Sequence, residues 1–246
     1  MRAQIPTSDP IATSLVQGIM TQIIERLRQI ANANVGNLIR CCPDRMAEYF
    51  KAMDFITVVS GLPRSGTSLM MQMLKAGGIS PLTDNLREPD QSNPRGYFEF
   101  EPVKRLRIDQ SWLDQARGRA VKVIHLLMPQ LPIDGRFQYR VILMKRPMEE
   151  ILASQHVMLE REGKTSADQT LLAKAYQSQL LQLEQWLRTQ PNFAMLSVNY
   201  HDLIENPQAT ADKIDNFLGG ELDVEAMARV IDPALYRQRG PSSAKD

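Results

Sequence analysis

The segment at residues 55–78 constrains this chain more than any other. Phe55-Ile56-Thr57-Val58-Val59 is a short apolar run rich in β-branched residues, the composition of a strand buried on both faces of a parallel sheet. A loop bounded by Gly61 and Gly66 follows at once. Leu69, Met70, Met73 and Leu74 then share one helical face until Gly77-Gly78 stops the helix. A strand that passes through such a loop into a helix aims backbone N–H groups and a helix N-terminus at one spot, which suits an anion.

The rest of the chain repeats this alternation. Further strands are predicted at 120–124, 139–144 and 194–198, and helices at about 102–116, 148–160 and 167–188. Alternating strands and helices predict an α/β fold with a doubly wound sheet of mainly parallel strands. Upstream, Leu15, Ile19, Ile23, Ile24, Leu27 and Ile30 recur at helical spacing, and Pro43 with Met46, Tyr49 and Met53 suggests a second helix. These helices either cap the sheet or support a homodimer. No linker or repeat interrupts the pattern, so a single domain is predicted: N-terminal helices to residue 53, a core over 54–220, and a C-terminal helix and tail over 221–246. Residues 84–96, rich in Pro, Asn, Asp and Gly, read as an ordered loop over one end of the sheet.

Charge excludes some functions. Lys plus Arg total 29 against 28 Asp plus Glu, so no global field draws the chain to nucleic acid or an anionic membrane. No apolar run approaches the ~18 residues of a membrane span, and the N-terminus lacks a signal peptide's apolar stretch; a cytoplasmic location is the expectation. Cys41 and Cys42 are adjacent and lack a CxxC or His-spaced partner, which reads as two free thiols.

Any anion site must therefore be local, and the loop supplies one. Gly61 and Gly66 keep the glycine spacing of the Walker A pattern, and Ser68 keeps its hydroxyl. The lysine of that pattern is replaced by Thr67, and the cation stands inside the loop as Arg64. The best central strand ends in Lys145-Arg146 rather than in the acid that would support Mg²⁺. Both departures weigh against a nucleotide kinase and predict a metal-free phosphate site.

Pro63-Arg64-Ser65-Gly66-Thr67 after a buried strand resembles the loop of P-loop sulfotransferases that use 3′-phosphoadenosine 5′-phosphosulfate (PAPS), above all the tyrosylprotein-type and bacterial sulfotransferase-like members. The resemblance implies that residues 63–68 (Pro63, Arg64, Ser65, Gly66, Thr67 and Ser68) hold the 5′-phosphosulfate, with Arg64 at the bridging oxygen. It implies that Arg146, with Ser154 eight residues on, holds the 3′-phosphate, Lys145 being the alternative cation. Val198-Asn199-Tyr200-His201-Asp202-Leu203 is similar to a family segment whose Tyr lies near the adenine, with His201 in place of the usual Glu.

The implied reaction is sulfuryl transfer to a hydroxyl or amine of a small-molecule, carbohydrate or peptide acceptor. The implied base is His125, at the end of the strand at 120–124, or a carboxylate, Asp84 or Glu88. Glu99 is a candidate to orient the acceptor or to pair with Lys122. Two other readings remain open at this point: a P-loop kinase, and a nucleotide-binding relative without catalysis.

Overall fold

The computed structural model describes residues 55–232 apart from 85, 92 and 165–167. The predicted N-terminal helices, Cys41 and Cys42, and the chain beyond 232 lie outside the described residues. Among the described residues four strands form one sheet: β1 (Phe55–Gly61), β2 (Ala120–Lys122), β3 (Gln138–Lys145) and β4 (Phe193–Asn199). Their order is β2-β1-β3-β4, and every pair is parallel. The α-helices among the described residues are six: α1 (Thr67–Ala76), α2 (Met148–Arg161), α3 (Gln169–Thr189), α4 (Tyr200–Glu205), α5 (Pro207–Leu218) and α6 (Val224–Arg229). The expected α/β class and parallel sheet are present.

Strand pleating divides the core between two faces. Ile56 and Val58 of β1 join Val141 and Leu143 of β3, Trp112, Leu113, and Leu183 and Leu187 of α3. Phe55 and Val59 point the other way, with Ile142 and Met144 of β3, against Met70, Met73 and Leu74 of α1 and Ile214 of α5. Cover on both faces explains the near-continuous apolar runs of β1 and β3. Each such aliphatic side chain, fully buried, stabilises the fold by about 1.5–3 kcal/mol.

Two predicted elements differ from expectation. The helix expected over 102–116 is a pair of 3₁₀ turns, Glu101–Arg105 and Ser111–Ala116. Asp109 Oδ1 accepts from both Ser111 N (3.1 Å) and Ser111 Oγ (2.7 Å), a local bond that competes with helix continuation. The strand expected over 120–124 stops at Lys122, where its pairing with β1 ends at Val59. A 3₁₀ turn, His125–Gln130, takes over.

The order β2-β1-β3-β4 places a crevice where it matters. From β1 the chain moves to one side of the sheet, and from β3 to the other, so the carboxyl ends of these adjacent strands bound the topological switch point. Ligands of open α/β sheets bind there.

Candidate active site

The loop after β1 is shaped by close approaches. Gly61 (φ 153°) has no room for a side chain: a Cβ there would lie 2.5 Å from Ser65 Oγ and 2.8 Å from the Met144 carbonyl. Gly66 (φ 101°) is pressed against the Tyr200 ring, which a Cβ would meet at 2.5 Å. Between them Arg64 holds a left-handed backbone at φ 68°, a conformation that costs a non-glycine residue of order 1 kcal/mol or more. Gly66 is also the N-cap of α1, and no side chain caps that helix. Its first-turn N–H groups lack the carbonyl partners that later turns have, and the positive end of the helix dipole adds to them.

This loop forms the floor of a cavity of about 410 Å³ at the switch point. Of the loop residues expected to hold phosphate, Pro63, Arg64, Gly66, Thr67 and Ser68 line it. Ser65 does not: its hydroxyl is buried beneath the loop, with no hydrogen-bond partner among the described residues.

The residues after β3 reach the same cavity. Arg146 and Ser154 both line it, as does Tyr200 at the start of α4. Lys145, the alternative cation, pairs instead with Glu184 of α3 at 2.8 Å. Arg146 Nη1 donates to the Arg64 carbonyl (3.1 Å), and its guanidinium lies 4.4 Å from the centre of the Tyr200 ring. Arg64 Nε donates to Ser154 Oγ at 2.9 Å. Burial, reinforced by Arg146 and opposed by Tyr97, pulls the Arg64 guanidinium below its ordinary pKa, so an anion beside it would be welcome.

The lysine missing from the loop is supplied by β2. Lys122 Nζ donates to Ser68 Oγ (3.0 Å) and to the Tyr97 carbonyl (2.7 Å). Burial lowers its pKa to about 8, with Glu99 opposing that shift. The sequence marks Lys122 as a charge in an apolar strand but does not name these partners. Glu99, its expected partner, instead pairs with Arg87 at 3.0 Å, and both line the cavity. Arg87 also lies 3.5 Å from the centre of the Tyr97 ring, whose hydroxyl donates to Asp90 at 2.6 Å. Burial and that bond push the Tyr97 hydroxyl up to about 12. Arg87, Asp90, Tyr97 and Glu99 are thus tied to one another beside the cavity.

Three expected bases are not brought to this cavity. His125 is buried in its 3₁₀ turn, with Nε2 2.8 Å from Gln179 Oε1 and its ring edge-on to Tyr176. It turns away because the strand ends at Lys122, before His125 can extend over the crevice. Asp84 accepts from Leu86 N (3.0 Å) and Glu101 N (2.5 Å), which fastens its own loop. Glu88 is exposed and outside the lining. The carboxylates that do line the cavity among the described residues are Glu99 and Asp232, and Asp232 is tied to Arg95 at 3.3 Å. Among the described residues no cluster of His, Cys, Asp and Glu could hold a metal, and no helix is long and apolar enough to cross a membrane.

Residues 56–238 match the family model described as the sulfotransferase domain. Solved structures are similar as well, among them two sulfotransferases. The sulfotransferase domain from the curacin biosynthetic pathway is 14% identical, with 78% of this chain and 94% of that chain covered and a TM-score of 0.47. Sulfotransferase STF1 from Mycobacterium tuberculosis H37Rv is 18% identical, with 78% and 76% covered and a TM-score of 0.48. None of the curated proteins matches the chain.

Proposed function

We propose that this chain, which belongs to the sulfotransferase domain family, moves a sulfuryl group from PAPS to a hydroxyl or amine of an acceptor. The observation that carries the reading is the meeting of two cationic positions in one crevice: Arg64 with the uncapped N-terminus of α1, and Arg146 after β3. A donor set of guanidinium, ammonium and backbone N–H groups fits a nucleotide with phosphates at two separate places. Bound PAPS would supply a sulfuryl group on a phosphate leaving group, displaced in line by the acceptor.

The chain's residues act on that displacement through charge and position. Arg64, Thr67 and Ser68 hold the 5′ end, and Arg64 answers the negative charge that grows on the leaving phosphate oxygen. Lys122, anchored on Ser68, brings a second cation to the same oxygens. Arg146 and Ser154 hold the 3′-phosphate, and the Tyr200 ring braces Arg146. Glu99 accepts the acceptor's proton, a role supported by its place on the lining, among whose residues His125, Asp84 and Glu88 do not stand. Apolar Val123 and Ile124 stand on the same lining as Glu99, a mixed wall that fits a small molecule, a carbohydrate or a peptide.

Calorimetric titration of 3′-phosphoadenosine 5′-phosphate (PAP) with EDTA present, against ATP with Mg²⁺ in parallel, tests the cofactor class. The expected result is tight, metal-free binding of PAP that Arg146→Ala weakens. Binding of Mg-ATP alone would overturn the proposal and favour a kinase.

A further inference from the structure

Arg146 is gripped from behind by a buried carboxylate. Its Nε donates to Glu150 Oε2 at 2.8 Å, and the two side chains are 8% and 1% exposed. The other carboxylate oxygen, Glu150 Oε1, accepts from His201 Nε2 at 2.8 Å. Glu150 sits in the first turn of α2, where the helix dipole favours a carboxylate. Ser154 lies one turn later on the same face and accepts from Arg64. One face of α2 therefore fastens both arginines of the crevice. The guanidinium of Arg146 is further fixed by the Arg64 carbonyl and the Tyr200 ring.

A carboxylate so close to a phosphate site is a cost in plain electrostatics: it repels the anion the site must bind. Its presence calls for a compensating gain. A long arginine side chain loses much rotamer freedom when it is held for a ligand, and a partner that holds it beforehand removes that loss from binding. His201 adds a hydrogen bond to the second oxygen of Glu150.

We infer that Glu150, oriented by His201, is a positioning residue for the nucleotide: it pre-sets the Arg146 guanidinium for the 3′-phosphate. This rests on the nucleotide reading proposed above. Neither Glu150 nor His201 is among the residues that line the cavity, so both act through Arg146. The family segment resembled by residues 198–203 has Glu where this chain has His201; here a donor replaces an acid because the facing group is Glu150.

The sign of one substitution separates positioning from electrostatics. Glu150→Gln removes a negative charge beside the anion site. If charge alone mattered, PAP would bind tighter. Positioning instead predicts about tenfold weaker PAP binding, because the charge-assisted bond to Arg146 is lost.

His201→Ala, on a half-buried side chain, is expected to weaken PAP about threefold, as the neutral-strength bond it removes is smaller. Adenosine 5′-phosphate, which lacks the 3′-phosphate, should bind each variant as it binds the parent. Calorimetry of both nucleotides, with a melting curve for each variant, reads these outcomes. Unchanged or tighter PAP binding by folded Glu150→Gln overturns the inference. So does equal weakening of the two nucleotides. Should Glu150→Gln not fold, His201→Ala decides by the same two criteria. Failure of the parent protein to bind PAP at all would instead sink the nucleotide reading itself.

Discussion

Arg64 and Arg146 line one crevice, yet the molecule holds them in different ways. Arg64 sits in the loop after β1, on a left-handed backbone at φ 68°, and its Nε is met by the neutral hydroxyl of Ser154. Arg146 follows the extended strand β3 and is met by the Glu150 carboxylate, a carbonyl and an aromatic ring. A neutral partner orients a guanidinium without offsetting its charge; a carboxylate orients it more firmly but cancels part of its field. The first arrangement suits charge that develops during a reaction, the second charge that is present from the start. On the function proposed above, the two junctions, β1 to α1 and β3 to α2, would divide transition-state work from ground-state binding.

The most direct way to break this division is to remove each arginine in turn. Arg64→Ala should lower kcat for sulfuryl transfer by about a thousandfold, the scale of losing a donor aimed at developing charge. Its effect on PAP affinity should stay below about tenfold. Arg146→Ala should reverse the pattern, with PAP bound roughly thirtyfold more weakly, as expected when one partner of a buried charge pair is truncated. Its kcat at saturating nucleotide should hardly change. Steady-state kinetics beside calorimetry would read both parameters. If the two variants damage the same one, the junctions do not divide the work.

Lys122 belongs with Arg64 in this comparison, and pH sharpens the point. Its pKa is lowered to about 8 by burial, so the ammonium is present at neutral pH and lost as pH rises through about 8. The kcat/KM profile should therefore fall on the alkaline side above about pH 8, and Lys122→Met should lack that limb and run about tenfold slower below it. Unfolding would not mimic the effect on this group's account. The unfolded chain keeps its lysine protonated to about pH 10.4. Between about 8 and 10 the unfolded state therefore binds more protons, and the lysine's contribution to stability rises with pH. A melting temperature that holds while activity falls would assign the limb to the site.

The sequence made the β1–α1 junction plain because everything in it is local. Strand, glycines, Arg64 and helix are contiguous, and the loop's steric demands are written as Gly61 and Gly66. The β3–α2 junction was legible as far as Arg146 and Ser154, whose separation sets a strand end and a helix face. Its partners were not. Tyr200 and His201 come from the end of β4, and only the pairing of β3 with β4 brings them beside Glu150. Lys122 likewise lies 54 residues from Ser68, and no local pattern announces that bond. The misplacement of His125 has a simple cause. The apolar run at 120–124 predicts a strand as far as Ile124, whereas β2 persists only as far as its pairing with β1, which ends at Lys122. The 3₁₀ turns at 101–116 were hidden for a related reason: a helical spacing of apolar residues does not reveal that Asp109 will bond its own neighbours.

Ser154 offers the smallest effect and the finest test of the division. The family resemblance gives its hydroxyl to the 3′-phosphate, on the Arg146 side. Its observed bond is to Arg64 Nε, on the other side. Ser154→Ala removes one hydrogen bond, worth about 1 kcal/mol, or roughly fivefold. A double-mutant cycle says where that loss falls. If Ser154 works by orienting Arg64, the substitution lowers kcat about fivefold alone and has no further effect once Arg64 is alanine. If it works on the 3′-phosphate, it weakens PAP by a similar factor whether or not Arg64 is present, and leaves kcat alone. An effect on both parameters in the parent, with only the affinity loss surviving in Arg64→Ala, would mean that the hydroxyl serves both junctions, and that α2 couples the two arginines rather than merely holding each.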